Sequence, residues 1–364
     1  MSRVINTNTA RLHDAILVTG ATGMLAQQLI HQLLANTARP LILCVRASSD
    51  LAALARMQAA LPELDYTRVH VLAFDLAAPQ LGWSNALFES VGSACTEIWH
   101  LAAEVNFLLS AAELAASNTE SARSIFRLAQ TNGALLHFAS SLGVFPYQLP
   151  HDVDEQSARP DGLFASGYAS SKWQAEELLR QLSNEGAQAK PVRLRIYRLG
   201  LCVAQNSRAH DIVGMSRYAL KLCASWPDSS ASINALDSID AAAALCLLGS
   251  VDSDHAQPII WHVQNTQVET ISALHAQLQP QLRKRALAEW AEELSNASTT
   301  HLLGHEAQQA ELARAMLLML LPASNNGETD LPGTVLATHT QSVLTKLAWQ
   351  PKTVVHVLGR ALLD

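Results

Sequence analysis

Charged side chains, cysteines and long apolar runs are all scarce in this sequence, and each shortage excludes a class of protein. Charged residues make up 16% of the 364 positions, and the net charge is −7. Nucleic-acid surfaces need clustered Lys and Arg, so no nucleic-acid partner is expected. The longest basic cluster, Arg283-Lys284-Arg285, is predicted to be a solvated helix face.

The sequence has five cysteines, an odd number, and none of them form a Cys-x-x-Cys pair. Most of them lie in apolar runs. This usage predicts a reduced, cytoplasmic chain with buried thiols. No apolar run approaches the roughly 20 residues that span a bilayer, so no membrane partner is expected. The spacing of His301 and His305 lacks the glutamate of a zinc protease motif, and no metal site is predicted. The lack of a Gly-x-Ser-x-Gly segment disfavours a hydrolase.

The first 200 residues alternate short, nearly continuous apolar runs with helical patterns. Apolar runs of this kind are typical of strands that are buried on both faces of a parallel sheet. The predicted strands cover 15–19, 41–45, 69–73, 97–101, 135–139 and 194–199, and the predicted helices cover 24–34, 51–61, 113–132 and 168–183. Strict alternation predicts an α/β fold, a Rossmann doubly wound parallel sheet.

Helical patterns dominate after about residue 205. They cover 212–224, 239–248, 271–278, 287–294 and 306–321, with a strand candidate at 259–263 and a turn-rich loop at 322–332. We therefore expect a Rossmann domain over 1–205, with 231–265 returning to it. A smaller, mostly helical C-terminal domain over 206–364 is expected to bind the substrate.

A glycine turn follows the first predicted strand. Gly20 allows a tight turn, Gly23 lets the backbone approach a pyrophosphate, and Ala26 allows close packing of helix and sheet. The start of the helix offers free N–H groups and a positive dipole end to phosphates. Because the turn follows a strand and opens a helix, it predicts a dinucleotide site. The residues of that predicted site are Thr19, Gly20, Thr22, Gly23, Met24 and Leu25.

The end of the second strand indicates which dinucleotide is bound. A protein that prefers NAD carries Asp or Glu about 20 residues beyond the glycines. Here Arg46 occupies this position, and its guanidinium would pair with a 2′-phosphate. Arg56, one helix later, would add a second positive charge. The sequence therefore predicts NADPH as the cofactor.

The next two strands end in residues that suit the rest of a dinucleotide. Asp75 would accept a hydrogen bond from the adenine amine, and Leu76 would pack on the ring. The small side chains of Ala102 and Ala103 would let the dinucleotide lie flat over the strand ends. His100, just before them, is expected to be a satisfied core histidine.

Tyr168 and Lys172 are four residues apart, so a helix places them on one face, one turn apart. A nearby ammonium favours the phenolate form, which makes a tyrosine a usable proton donor to a developing alkoxide. The lysine can also hold the nicotinamide ribose. The pair follows the glycine turn and the fifth strand, and it predicts the reduction of a carbonyl compound.

The fifth strand ends in two serines, at the edge where open α/β sheets bind ligands. Ser141 is the predicted donor to the carbonyl oxygen of the substrate as negative charge builds there. Ser140 is the competing candidate, and either hydroxyl can instead cap a turn.

Together these residues resemble the extended short-chain dehydrogenase/reductase family. The resemblance rests on TGATGML at 19–25, HLAA at 100–103, Asn118, Ser141 and YASSK at 168–172. Within that family the chain is most similar to the terminal thioester reductase domains of nonribosomal peptide synthetases and carboxylic acid reductases. That similarity rests on VRA at 45–47, DL at 75–76, VN at 105–106 and GYASSKW at 167–173. Leu199 is a departure, since the family usually has Pro there.

The resemblance implies a catalytic set of Ser141, Tyr168 and Lys172, with Asn118 as the helix asparagine that organises the site. It implies NADPH as hydride donor and a substrate acyl chain on the phosphopantetheine thiol of an acyl or peptidyl carrier protein. The product would be an aldehyde or, after a second reduction, an alcohol. The C-terminal half would then bind substrate and carrier.

Other functions stay open at this stage. The same fold serves enzymes that act on a free small-molecule carbonyl or a sugar nucleotide, although Arg46 counts against NAD-dependent sugar chemistry. A dinucleotide sensor without enzymatic activity, or a domain that cyclises its substrate without redox chemistry, would also keep the fold. Sensors of this kind typically lose the Tyr or the Lys, and both are present here.

Overall fold

The computed structural model describes residues 12–146, 149–185, 190–204, 212–252, 257–300 and 334–363. The predicted helix at 306–321, the loop at 322–332 and the pair His301 and His305 lie outside the described residues. The chain divides into two compact units, described here one at a time. The first comprises Met1–Leu199, Ala242–Val263 and Gly333–Trp349, and the second comprises Gly200–Ala241, Gln264–Pro332 and Gln350–Asp364.

Seven parallel strands form the sheet of the first unit. With strands numbered along the chain, they are β1 (Ala15–Thr19), β2 (Leu41–Arg46), β3 (Val69–Phe74), β4 (Cys95–His100), β5 (Leu135–Ser141), β6 (Leu194–Leu199) and β11 (Ile259–Val263). Their spatial order is β11-β6-β5-β4-β1-β2-β3, and each neighbouring pair is parallel. This confirms the predicted Rossmann doubly wound sheet. The chain order reverses between β1 and β4, which is the switch point where open α/β sheets bind ligands.

Helices cover both faces of this sheet, as buried strands require. They are α1 (Met24–Asn36), α2 (Asp50–Ala60), α3 (Asn85–Ala94), α4 (Ser121–Asn132), α5 (Gly167–Asn184) and α10 (Thr338–Lys346). The predicted helix at 113–132 is in fact a π-helical turn, Ala115–Glu120, that continues into α4. Helix α3, whose start is capped by Ser84, was not among the predicted helices. Between sheet and helices the core buries large apolar side chains such as Leu17, Phe126 and Leu179.

The second unit combines helices with short paired strands. Its helices are α6 (Ile212–Cys223), α8 (Ile271–Leu278), α9 (Leu287–Thr300) and α11 (Val354–Leu363), and the residues of α7 (Ser238–Gly249) are divided between the two units. Its strands are β7 (Leu201–Val203), β8 (Ser225–Asp228), β9 (Ser232–Ile233), β10 (Ala235–Asp237), β12 (Glu269–Thr270) and β13 (Arg283–Ala286). They pair as β7 with β10, β8 with β13 and β9 with β12.

The prediction that Arg283-Lys284-Arg285 forms a helix face is wrong, because these residues belong to strand β13. Parallel backbone pairing with β8 fixes the extended conformation, while the side chains stay largely in solvent. Two ion pairs hold these side chains. Lys284 Nζ lies 3.1 Å from Asp228 Oδ1, and Arg285 Nε lies 2.8 Å from Glu293 Oε2. Within the described residues, no helix has the length and apolar character needed to cross a membrane.

Candidate active site

The glycine turn lies at the switch point of the sheet, between the ends of β1 and β4. Gly20 has φ +68°, and a Cβ atom there would lie 2.9 Å from the Ala102 Cα, so only glycine fits. The Gly23 N–H donates to the Gly20 carbonyl at 2.8 Å, which closes the turn. Gly23 is the N-cap of α1 and has no side chain to accept from the first N–H groups of the helix. The turn therefore presents donors to an anion, and it fits a pyrophosphate.

Two polar side chains tie the end of β1 to the end of β4 beneath this turn. The Thr19 hydroxyl accepts from the Ala102 N–H at 3.1 Å and lies 2.8 Å from His100 Nδ1. Both side chains are buried, so His100 is the satisfied core histidine that was expected. Burial, with a smaller contribution from the charge of Lys172, lowers the pKa of His100 to about 3. His100 is therefore neutral at physiological pH.

The structure brings Arg46 and Arg56 together at the end of β2. Both are exposed, and Arg56 Nη1 donates to the Arg46 carbonyl. The Ala21 N–H donates to the Cys44 carbonyl at 3.3 Å, which links the glycine turn to this strand end. The result is a cationic corner at the end of β2, linked by backbone to the glycine turn.

The remaining predicted cofactor residues lie along the same edge. Asp75 follows β3, is exposed, and accepts from the Ala77 N–H at 3.0 Å. Leu76 and Ala103 are half-buried, and so are three residues of the glycine segment, namely Thr22, Met24 and Leu25.

Helix α5 carries the predicted catalytic pair. Ser166 caps its start by accepting from the Ala169 N–H at 3.1 Å. Gly167 follows the cap because the Leu109 carbonyl lies where a Cβ atom would be. Tyr168, the next residue, is half-buried, and its ring lies 5.4 Å from the Phe107 ring in an edge-on contact. The loop after β4 therefore fixes the position of the phenol.

Lys172 is almost fully buried, with 2% of its surface exposed. Its Nζ lies 4.1 Å from the centre of the Phe138 ring, on β5. Burial lowers the pKa of Lys172 to about 7, and the charge of Glu176 opposes that effect. A lysine in this state can carry or release its proton near neutral pH.

Asn118 is held next to this helix by the π-helical turn. Its side-chain amide donates to the Glu104 carbonyl at 3.1 Å and to the Ser171 hydroxyl at 3.0 Å, and its oxygen accepts from the Glu104 N–H at 2.8 Å. Ser171 in turn donates to the Tyr168 carbonyl at 2.8 Å. Asn118 therefore connects the loop after β4 to the backbone of α5.

The two candidate serines at the end of β5 have different partners. The half-buried Ser141 accepts from the Gly143 N–H at 3.0 Å, in a turn where Gly143 packs against Ala169 of α5. The buried Ser140 donates to a carboxylate oxygen of Glu176 at 2.5 Å. Ser141 is therefore the serine whose hydroxyl faces the half-buried edge.

Sequence reasoning missed Glu176 and Arg198, which lie fully buried beside the site. The Glu176 carboxylate accepts from Arg198 Nη2 at 2.8 Å and from Arg198 Nε at 3.1 Å. Two signals were present in the sequence. Glu176 follows Lys172 by four residues, and Arg198 is one of two arginines in the strand segment LRIYRL at 194–199.

The glycine turn at the switch point and the Tyr168–Lys172 face of α5 define the class, an extended short-chain dehydrogenase/reductase. The sequence model of the NAD-binding family described as male sterility protein matches residues 18–226, more than half of the chain. The chain belongs to this family, and the resemblance to thioester reductase domains is confirmed. Its cofactor is thus a nicotinamide dinucleotide, which the phosphate turn fits.

Two of the curated relatives are described as peptide or lipopeptide synthases. Isonitrile lipopeptide synthase of Streptomyces coeruleorubidus is 35% identical over 205 residues, which cover 54% of this chain and 14% of that protein. A linear gramicidin synthase polypeptide of Brevibacillus parabrevis is 31% identical over 198 residues, which cover 51% of this chain and 4% of that protein. The chain therefore corresponds to a small part of each relative.

Solved structures share the fold over nearly the whole chain. The terminal R domain from the myxalamid PKS-NRPS pathway has a TM-score of 0.80 and 22% identity, and covers 97% of this chain and 90% of its own. A thiolation-reductase di-domain from an archaeal nonribosomal peptide synthetase has a TM-score of 0.74 and 15% identity, over 98% and 76% of the two chains. At these identities the similarity concerns the fold alone.

Proposed function

We propose that this chain is an NADPH-dependent reductase of acyl thioesters held on the phosphopantetheine arm of a carrier protein. The observation that carries the proposal is the placement of Tyr168 one turn from the buried Lys172, on a helix that packs against β5 and β6. The names of the relatives support the substrate class. They are peptide and lipopeptide synthases, and one structure of similar fold joins a thiolation domain to a reductase domain.

The preference for NADPH over NADH is inferred from the cationic corner of Arg46 and Arg56. An NAD site would place a carboxylate there to bind the ribose hydroxyls, and that carboxylate would repel a 2′-phosphate. Two exposed guanidinium groups offer the planar donor forks that phosphate oxygens bind. When bound, NADPH supplies the hydride that reduces the carbonyl carbon.

The side chains of the chain would act on the oxygen of that carbonyl. As the thioester is reduced, its oxygen becomes an oxyanion on a tetrahedral carbon, and donors fixed in advance stabilise it. Tyr168 and Ser141 are the donors, the Lys172 ammonium keeps the phenol in a usable state, and Asn118 holds the backbone of α5 in place. Loss of the pantetheine thiol then gives an aldehyde, and a second reduction of the same kind gives an alcohol.

The second unit contains a cavity of about 320 Å³ that suits an apolar acyl group. The indoles of Trp226 and Trp290 line it, and their N–H groups already donate to the carbonyls of Ile271 and Ser225. The Asn234 amide, another lining group, donates to two backbone carbonyls of the same unit. The described lining has no charged side chain. We therefore assign the second unit to substrate binding and expect an uncharged, apolar acyl chain.

The test is to incubate the purified chain with NADPH and a panel of carrier-bound or pantetheine-bound acyl thioesters, with products identified by mass. A free ketone and a sugar nucleotide are the competing substrates. We expect aldehyde or alcohol from apolar acyl thioesters, and a Tyr168→Phe variant that loses roughly 10²–10⁴-fold in kcat while it still binds NADPH. Tyr66→Phe, at a tyrosine that donates to the Leu61 carbonyl, is the matched control. Unchanged kcat in Tyr168→Phe would refute the catalytic assignment.

A further inference from the structure

A row of buried polar side chains crosses the carboxyl ends of three neighbouring strands. Ser140 of β5, Arg198 of β6 and His262 of β11 are direct partners in the strand register. Their exposed fractions are 4%, 2% and 0%. A buried guanidinium needs a counter-charge, because an unpaired charge in the interior is very unfavourable. That counter-charge comes from α5, which packs over the row.

Glu176 is the counter-charge, and hydrogen bonds from three side chains fix its position. Its carboxylate accepts from Arg198 through both Nε and Nη2 and from the Ser140 hydroxyl. It also accepts from Arg180 Nη2, one helical turn further along α5, at 3.2 Å. Two parallel bonds from one guanidinium set the orientation of a carboxylate as well as its charge. On the far side, Arg198 Nη1 lies 3.3 Å from His262 Nε2. Glu176 is therefore held at one place on α5 by side chains of the sheet.

The same carboxylate lies one helical turn beyond Lys172, on the same face of α5. Tyr168 is the titratable group one turn before Lys172 on that helix. The sheet contributes His100 at the end of β4, which is neutral at physiological pH, and Arg198 at the end of β6. Among these groups Glu176 alone supplies negative charge. A buried ammonium is stabilised by a neighbouring carboxylate and destabilised by the loss of water.

We propose that Glu176, clamped by Arg198 and Ser140, is a positioning residue that keeps Lys172 in its ammonium form and so sets the upper pH limit of activity. The inference rests on the roles proposed above for Tyr168 and Lys172. The ammonium form exists below the pKa of Lys172, so activity falls as the pH rises through that value. Without the Glu176 carboxylate, its charge no longer offsets the effect of burial, so the pKa of Lys172 falls. The upper pH limit of activity then moves to lower pH.

The direct test follows the charge of Lys172 by NMR in protein labelled with ¹³C-lysine. The chain has six lysines, and a Lys172→Arg variant identifies the resonance. In Glu176→Gln we expect Lys172 to titrate about one pH unit lower or more, and the alkaline limb of kcat/KM to move with it. Glu176→Asp keeps the negative charge, so in this variant Lys172 should titrate close to its wild-type pH. Glu177→Gln is the control, because Glu177 is the next residue, is exposed, and pairs only with Arg180 among its described ion pairs.

Glu176→Gln leaves the Arg198 guanidinium without its carboxylate, so a double variant, Glu176→Gln with Arg198→Gln, is measured beside it. The two amides can hydrogen-bond to each other, so neither position 176 nor position 198 carries a buried charge in this variant. Titration of Lys172 at the wild-type pH in either folded variant would overturn the proposal. The NMR readout needs no turnover, so it is independent of the Tyr168→Phe test, and each assignment can fail without the other.

Discussion

Ser140 donates its hydroxyl hydrogen to the Glu176 carboxylate across 2.5 Å, whereas its neighbour Ser141 accepts from a backbone N–H. A hydroxyl that accepts one hydrogen bond keeps its own hydrogen to donate. The two serines therefore differ in what they can offer a substrate. Ser141 can donate to an oxyanion, and Ser140 supports the buried charge pair.

The first prediction separates these two roles. Ser141→Ala should lower kcat about 10²-fold or more, because one donor to the oxyanion is lost, with little change in the free energy of unfolding. Ser140→Ala should lower kcat much less than Ser141→Ala, because the Glu176 carboxylate keeps its bonds to Arg198, but it should lower the free energy of unfolding by about 1–3 kcal/mol. Steady-state kinetics and urea unfolding of both variants provide the comparison. The reverse pattern would make Ser140 the catalytic serine.

The second prediction concerns the choice of cofactor. Arg46→Ala and Arg56→Ala should each raise the KM for NADPH by roughly 10–100-fold, the value of a lost charge-assisted hydrogen bond. The KM for NADH should change little, because NADH has no 2′-phosphate. Arg283→Ala, at an exposed arginine of the second unit, is the control. If the ratio of the two KM values stays constant in the Arg46 and Arg56 variants, the cationic corner does not select NADPH.

The parts of the fold that the sequence predicted are those with local signals. The boundaries of β1, β6 and β11 match the predicted strands residue for residue, because each is a short run with no fully exposed residue. Helix α3 was missed although its buried residues Phe88, Val91 and Gly92 follow a helical spacing, since they lie in a short segment of ten residues, NALFESVGSA. Strand β13 was mistaken for a helix face because three consecutive charged side chains give no sign of its backbone pairing with β8.

The site was predictable to a similar extent. The glycine turn and the Tyr168–Lys172 spacing are local patterns, so the sequence alone located both. Two partners of Glu176, Arg198 and Ser140, lie 22 and 36 positions away along the chain, on β6 and β5, and no spacing rule connects them to it. Nor does a local pattern distinguish Ser140 from Ser141, since their difference is which one reaches α5.

The third prediction tests the close approach of the glycine turn to β4. Gly20→Ala should lower the free energy of unfolding and weaken dinucleotide binding, because the new Cβ would lie 2.9 Å from a backbone atom of Ala102. Gly82→Ala is the matched control, since Gly82 has φ +77° but its nearest neighbours lie at 3.7 Å or beyond. Both variants carry the left-handed penalty of about 1–2 kcal/mol. Gly20→Ala should lose about 1–3 kcal/mol more, through overpacking.

Urea unfolding and dinucleotide titration of the two glycine variants give both quantities. Equal losses of stability would show that the contact between Gly20 and Ala102 adds no constraint beyond the backbone angle. Unchanged dinucleotide affinity in a folded Gly20→Ala protein would remove the turn from the binding site.

The fourth prediction uses the half-buried carboxylate of Glu97, on β4. Burial by itself would raise its pKa, but His137 and the Arg39 guanidinium outweigh that effect and lower the pKa to about 2. A carboxylate with a depressed pKa stabilises the folded state above its unfolded pKa, and this stabilisation is lost as the pH falls towards the folded value. Between about pH 4.5 and pH 2 the wild-type protein should therefore lose on the order of 3 kcal/mol through this group.

Glu97→Gln should be less stable than the wild type at pH 7 and should show a flatter decline below pH 4.5, because no charge remains to be neutralised there. The free energy of unfolding in urea, measured from pH 7 to pH 3, follows the effect. Glu89→Gln, at an exposed glutamate of α3, should decline in parallel with the wild type. A Glu97→Gln curve that also runs parallel to the wild type would mean that Glu97 titrates normally in the folded protein and that its contacts with Arg39 and His137 do not favour its charged form.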